Sequence, residues 1–176
     1  SILKAFETNR NYEIIREYTN DTFYSDINKW LLNLDSQAYD KAGYFIGQLM
    51  YKLNEYGKTK ERNDLFHTIL YRGLYIDYLD ALSYQIHLGD IICFQTFLSS
   101  SKDEDVAKGF AHIFLNSNTK KGDNKFSVLI KINLNFNDDL YPLCFDISKI
   151  AVENHQREKE CLFNPFSFFR LIDYNR

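Results

Sequence analysis

The chain has little of what divides a fold into pieces, with two prolines and seven glycines among its 176 residues. No segment is repetitive, low in complexity or long in one sign of charge, so nothing reads as a linker or a disordered tail. No apolar run approaches the roughly 18 to 20 residues that a membrane-spanning helix needs, which excludes a membrane span. The 21 basic and 24 acidic side chains are intermixed, for a net charge of −3, and no basic stripe marks a nucleic-acid partner. Three cysteines, Cys93, Cys144 and Cys161, lack the count and spacing of a disulfide framework or a metal site; they read as buried free thiols, and no metal is expected. The chain opens at Ser1 without an initiator methionine or a signal-like apolar region, which reads as an excerpt of a longer protein or a processed form. Its compartment is left open.

A hydrophobic content of 45%, with 16% aromatic residues, supplies one core, and the chain is too short for two comfortable domains. A single domain over residues 1–176 is expected, helical in 1–64 and β-rich in 65–176. Asn20, Asp21 and Thr22 offer a helix start, and Phe23, Ile27, Trp30 and Leu31 then recur on one face. A second stripe, Ala42, Phe45, Ile46, Leu49, Met50 and Leu53, predicts another helix, with Gly57 placed to close it in a left-handed conformation. From residue 65 the apolar runs shorten to strand length, at 65–71, 91–98, 126–134, 143–147, 160–163 and 168–174. Alternation through Phe126, Val128, Ile130 and Ile132 predicts a sheet with one buried face. One helix interrupts the strands: Ser101 to Glu104 match a capping box, and Val106, Ala107, Phe110 and Phe114 form its apolar face before a polar loop at 116–124. Helices followed by strands predict an α+β domain, and the lack of a Gly-x-Gly-x-x-Gly turn excludes a Rossmann cradle.

Three segments carry candidate chemistry. Arg72 ends an apolar run and precedes Gly73; a forked guanidinium there suits a phosphate, and a glycine admits close backbone approach. By itself such an arginine serves equally as a solvated charge. Phe97-Leu98-Ser99-Ser100-Ser101 runs from a strand into three hydroxyls; Ser101 reads as the helix cap, and Ser99 is free to meet a ligand or close a turn. Glu158 and Glu160 stand two apart at the start of a strand, which would place both carboxylates on one face, where each raises the other's proton affinity. An isolated Glu-x-Glu is otherwise a solvated strand edge.

In order and spacing, these segments resemble the arginine, serine and Glu-x-Glu elements of the arginine-directed mono-ADP-ribosyltransferases, a family of bacterial toxins and vertebrate ecto-enzymes. Arg72-Gly73 is similar to the family's first-strand arginine and glycine. Phe97 to Ser101 is similar to its Phe-x-Ser-Thr-Ser element, with Ser100 where threonine is usual. Glu158 to Phe163, followed by Asn164, Pro165 and Phe168, is similar to its Glu-x-Glu strand. The resemblance covers about residues 70–171 and implies a mainly antiparallel split β-sandwich behind N-terminal helices, with the β-rich part binding NAD.

The same resemblance implies roles. NAD is consumed as a substrate and no metal takes part. Arg72 would hold NAD near its phosphates, with the backbone at Arg72 and Gly73 bonding the nicotinamide amide. Ser99 would support NAD and orient Glu160. Glu160 would stabilise the oxocarbenium-like ribose, and Glu158 would deprotonate an arginine of a protein acceptor. Phe110 would pack on nicotinamide, or else in the core. None of the four histidines is assigned, and His112 reads as a surface or packing residue. The segment 151–157 matches the family's target-recognition loop in position and offers no interpretable residue. Two alternatives differ in kind: an NAD glycohydrolase using water in the same site, and a non-catalytic interaction module of the same fold.

Overall fold

The structure of the protein, a computed structural model, describes residues 12–33, 36–58, 65, 68–77, 87–113, 125–134 and 144–173. Three helices come first: α1 (Glu13–Tyr18), α2 (Asp21–Asn33) and α3 (Ser36–Gly57). The α3 stripe is the expected one, with Ala42, Phe45, Ile46, Leu49 and Leu53 all buried. These side chains recur three and four residues apart, so one helix face buries them together. Helix α1 is an addition to the sequence reading. Its six residues are too few to show a period, yet Ile14, Ile15 and Tyr18 are buried against α2 and α3. Gly57 departs from expectation: it ends inside α3, and among the described residues the glycine with positive φ is Gly89. No helix among the described residues is long and apolar enough to cross a membrane.

The remaining elements are β1 (Ile69–Asp77), β2 (Ile91–Phe94), β3 (Leu98–Ser101), α4 (Glu104–Phe110), β4 (Lys125–Asn133), β5 (Cys144–Asp146), α5 (Glu153–Gln156), β6 (Glu160–Phe163) and β7 (Ser167–Arg170). They build a five-stranded sheet in the order β4-β1-β3-β6-β5 and a two-stranded sheet of β2 and β7, antiparallel at every pairing. The described residues are therefore α+β, as the order of elements predicted, with the antiparallel sheets that the resemblance implied.

β7 ends at Arg170, short of the run read to 174, and two strand readings change more deeply. Residues 91–98 are two strands in different sheets: Ile91 pairs with Arg170 on β7, whereas Leu98 pairs with Phe163 on β6. The chain crosses between sheets at 95–97, where Phe97 turns into the helical core. Strand β1 starts at Ile69 rather than 65 and runs on to Asp77, because all nine of its residues find partners on β4. Arg72 and Gly73 thus lie within a strand, not at its end. Phe114, the loop 116–124, Leu143 and Tyr174 lie outside the described residues.

The larger sheet separates two cores. On one side Phe145 and Leu162 join the helices; on the other Leu98, Cys144, Cys161 and Phe163 meet the small sheet through Phe94 and Phe169. Phe169 stands edge-on to both Phe94 and Phe163, at ring separations of 5.6 and 5.1 Å, which fixes one sheet against the other. Cys144 and Cys161 are buried free thiols as expected, but Cys93 is exposed on the outer side of β2. Along β6 the alternation decides where the chemistry faces. Leu162 points to the helices, so Glu160, two residues earlier, points there too.

Candidate active site

A cleft opens between the helical layer and the larger sheet, and it gathers Arg72, Gly73, Ser99, Phe110, Glu158 and Glu160 from four separate stretches of chain. These are all the candidate residues that the sequence offers. Each arrives by a different local route.

Arg72 sits mid-strand on β1, opposite Ile130 of β4. Its Nη1 donates to the carbonyl of Ser99, and its Nε is a buried donor without an acceptor among the described residues. Burial depresses its pKa, while Tyr18, Tyr24 and Glu160 oppose that shift; a guanidinium nonetheless stays cationic. A buried, half-used guanidinium is costly unless something anionic completes it. Gly73 has a reason other than the one expected. A Cβ there would lie 1.8 Å from the carbonyl oxygen of Ala107 and 2.7 Å from the nitrogen of Ala111. Close approach is therefore made by the backbone of α4 onto β1, which brings that helix to the rim of the cleft.

The three serines divide their work. Ser99 lines the cleft beside Glu160, and its hydroxyl lowers the pKa of that carboxyl. Ser100 donates to the carbonyl of Cys161 at 2.9 Å, locking β3 to β6. Ser101 donates to the carbonyl of Glu158 at 2.6 Å and accepts from the amide of Asp103 at 2.9 Å. It is not the helix cap. Asp103 caps α4, accepting from the amide of Asp105 at 3.0 Å, because β3 continues through Ser101 and the helix begins only at Glu104.

Glu160 is 9% exposed. Burial pushes its carboxyl above the usual range, the Ser99 hydroxyl pulls it back, Glu158 pushes it up again, and His155 and Arg72 pull it down. Such a group gains most when positive charge forms beside it. Glu158 corrects the sequence reading: β6 begins at Glu160, and Glu158 lies in the preceding turn, reversed by Lys159 at φ 48°. The two carboxylates are not successive same-face strand positions. They share the cleft because the turn folds Glu158 back toward it, and its Oε1 lies 2.8 Å from Nδ1 of His155.

Phe110, 57% exposed at the end of α4, lines the cleft instead of packing in the core. His112 points elsewhere and stacks on Tyr75 at 4.6 Å. Tyr18, Thr19, Tyr24, Asn28 and His155 also line the cleft and escape the sequence reading. Asn28 donates to the Tyr18 hydroxyl at 3.4 Å, and its own Oδ1 is buried without a partner among the described residues. Burial, above all, holds the Tyr18 hydroxyl neutral by raising its pKa far above normal. Only for His155 did the sequence hold a signal, a histidine three residues before Glu158. Among the described residues no group of three or more His, Cys, Asp or Glu is placed to hold a metal ion.

No protein-family model matches the chain, and no curated protein sequence matches it. Solved structures do. The ADP-ribosyltransferase Vis, a toxin of Vibrio splendidus, superposes in an inhibitor complex with a TM-score of 0.69 at 22% identity, over 98% of this chain and 69% of that one. A second Vis structure, holding agmatine, gives 0.67 at 22% identity over 97% and 70%. The catalytic domain of VsdC from Aeromonas hydrophila gives 0.58 at 20% identity over 92% and 82%. The chain therefore has the fold of the ADP-ribosyltransferases.

Proposed function

We propose that this domain transfers ADP-ribose from NAD to the side chain of an arginine on a protein, releasing nicotinamide. The observation that carries the reading is Glu160, a buried carboxylate set in one cleft with Ser99 and the cation of Arg72. The fold shared with ADP-ribosyltransferases supports it, and so does the agmatine bound to Vis, since agmatine ends in the same guanidinium as arginine.

The chemistry follows from the charges. Breaking the bond between C1′ of the ribose and the nicotinamide nitrogen sends the electron pair out with nicotinamide and leaves positive charge on the ribose. An ionised carboxylate in a partly dry cleft stabilises that charge better than water does. Glu160 takes this role, with Ser99 orienting it. The half-used guanidinium of Arg72 fits the pyrophosphate of NAD, which would supply the missing acceptor for Nε. Gly73 and Phe110 stand where they line the same substrate. A guanidinium nitrogen of the acceptor then bonds to C1′, and the proton it sheds passes to Glu158.

The test is incubation with labelled NAD in the presence of agmatine and, separately, of a protein extract. Labelled agmatine and arginine-linked label on protein are the expected products. Nicotinamide release with no labelled acceptor in either mixture would contradict transfer and leave an NAD glycohydrolase.

A further inference from the structure

Glu158 leaves the strand two residues before Glu160, so the sheet does not orient its carboxylate. Its backbone is well held. The amide donates to the carbonyl of His155 at 3.0 Å, the carbonyl accepts from Ser101, and the left-handed Lys159 is anchored by its ammonium on Asp103 at 2.8 Å. None of those bonds touches the carboxylate. The contact that does is Nδ1 of His155, 2.8 Å from Oε1, between side chains 21% and 30% exposed at the cleft wall.

We propose that His155 is the positioning residue for Glu158 and that its charge state sets how strong a base Glu158 is. This rests on the transferase reading above. The Nδ1 proton of His155 holds Oε1 and leaves the other carboxylate oxygen for the acceptor. As a guanidinium nitrogen bonds to C1′ and nicotinamide departs with the electron pair, that oxygen takes the proton. A protonated imidazole holds Glu158 as an ion pair and weakens it as a base; a neutral one keeps the orienting bond and restores basicity. The titratable groups that line the cleft with the pair are Glu160 from β6, Tyr71 and Arg72 from β1, Tyr18 from α1 and Tyr24 from α2.

Transfer to agmatine and hydrolysis by water, measured in one reaction with labelled NAD, report on the two carboxylates separately. Their ratio is insensitive to how much protein is folded. In the wild type the ratio rises with pH through the histidine range, near about 6.5 for an unperturbed imidazole. His155→Ala lowers the ratio about tenfold, part of what a general base contributes, and flattens its pH dependence. His155→Asn, whose side-chain amide donates where Nδ1 does, recovers most of the ratio and stays flat. A His155→Ala protein with the wild-type ratio and profile overturns the role, as does a His155→Asn protein that keeps the rise. Failure of the wild type to label agmatine at any pH, with nicotinamide still released, removes the transferase reading itself and the role with it.

Discussion

Nη1 of Arg72 donates to the carbonyl of Ser99, and the hydroxyl of the same serine lowers the pKa of Glu160 in the same cleft, so one residue of β3 stands between the cation and the anion. Burial raises the pKa of Glu160, and the Ser99 hydroxyl works against that rise. The proposed mechanism needs the ionised form for nicotinamide release, so activity is expected to fall as pH drops through a carboxyl range set above the ordinary one. Ser99→Ala removes the counterweight. Without the lowering influence of the Ser99 hydroxyl, the acid limb moves to higher pH. A pH–rate profile of nicotinamide release checks this; an unmoved limb would show that Ser99 does not act on Glu160.

Gly73→Ala tests the packing beneath the site. The added methyl meets backbone atoms of Ala107 and Ala111, which have no rotamer to yield, so α4 must lift from β1. Overpacking of this kind costs about 1–3 kcal/mol. The expected result is a lower Tm together with weaker NAD binding, since Phe110 moves with the helix. An unchanged Tm would mean that the helix relaxes freely.

The sequence makes some of this legible and hides the rest for physical reasons. Helix α3 repeats its apolar period from Ala42 to Leu53, long enough to be read, whereas α1 has fewer than two turns in which to show one. Arg72, Ser99 and Glu160 stand out by order and spacing. Glu158 also stands out, but its geometry does not: Glu-x-Glu alternates like a strand, and nothing local announces that Lys159 adopts positive φ. The turn depends on tertiary contacts, Lys159 with Asp103 and Ser101 with Glu158, and the His155 contact depends on the turn. The break between β2 and β3 is hidden likewise, because an apolar run does not say which sheet it will join.

Arg72→Lys keeps a positive charge and loses the fork. A lysine ammonium cannot both hold the Ser99 carbonyl and offer a second donor where Nε stands. NAD affinity measured by calorimetry is expected to drop about tenfold, one paired contact of a bidentate site. Equal affinity would place the NAD phosphates away from Arg72.

Glu160 also bears on stability. Its folded-state pKa lies above the unfolded value, so the native state binds that proton more tightly, and stability falls as pH rises from the ordinary carboxylate range through the raised one. Ionised Glu160 therefore destabilises the fold at neutral pH. Glu160→Gln is expected to raise Tm at pH 7 by roughly 2–4 °C, with the gain vanishing in acid where the wild type is protonated. Thermal unfolding at both pH values decides it, and a lower Tm at pH 7 would contradict the sign.

The most direct measurement is nicotinamide release from NAD by the wild type and by the folded Glu160→Gln protein, side by side. Removing a preorganised charge opposite the developing cation costs roughly 100-fold or more. The wild type is expected to cleave NAD, and Glu160→Gln to lose at least that factor while retaining its fold. Cleavage by Glu160→Gln at close to the wild-type rate would show that the buried carboxylate is not what stabilises the departing ribose.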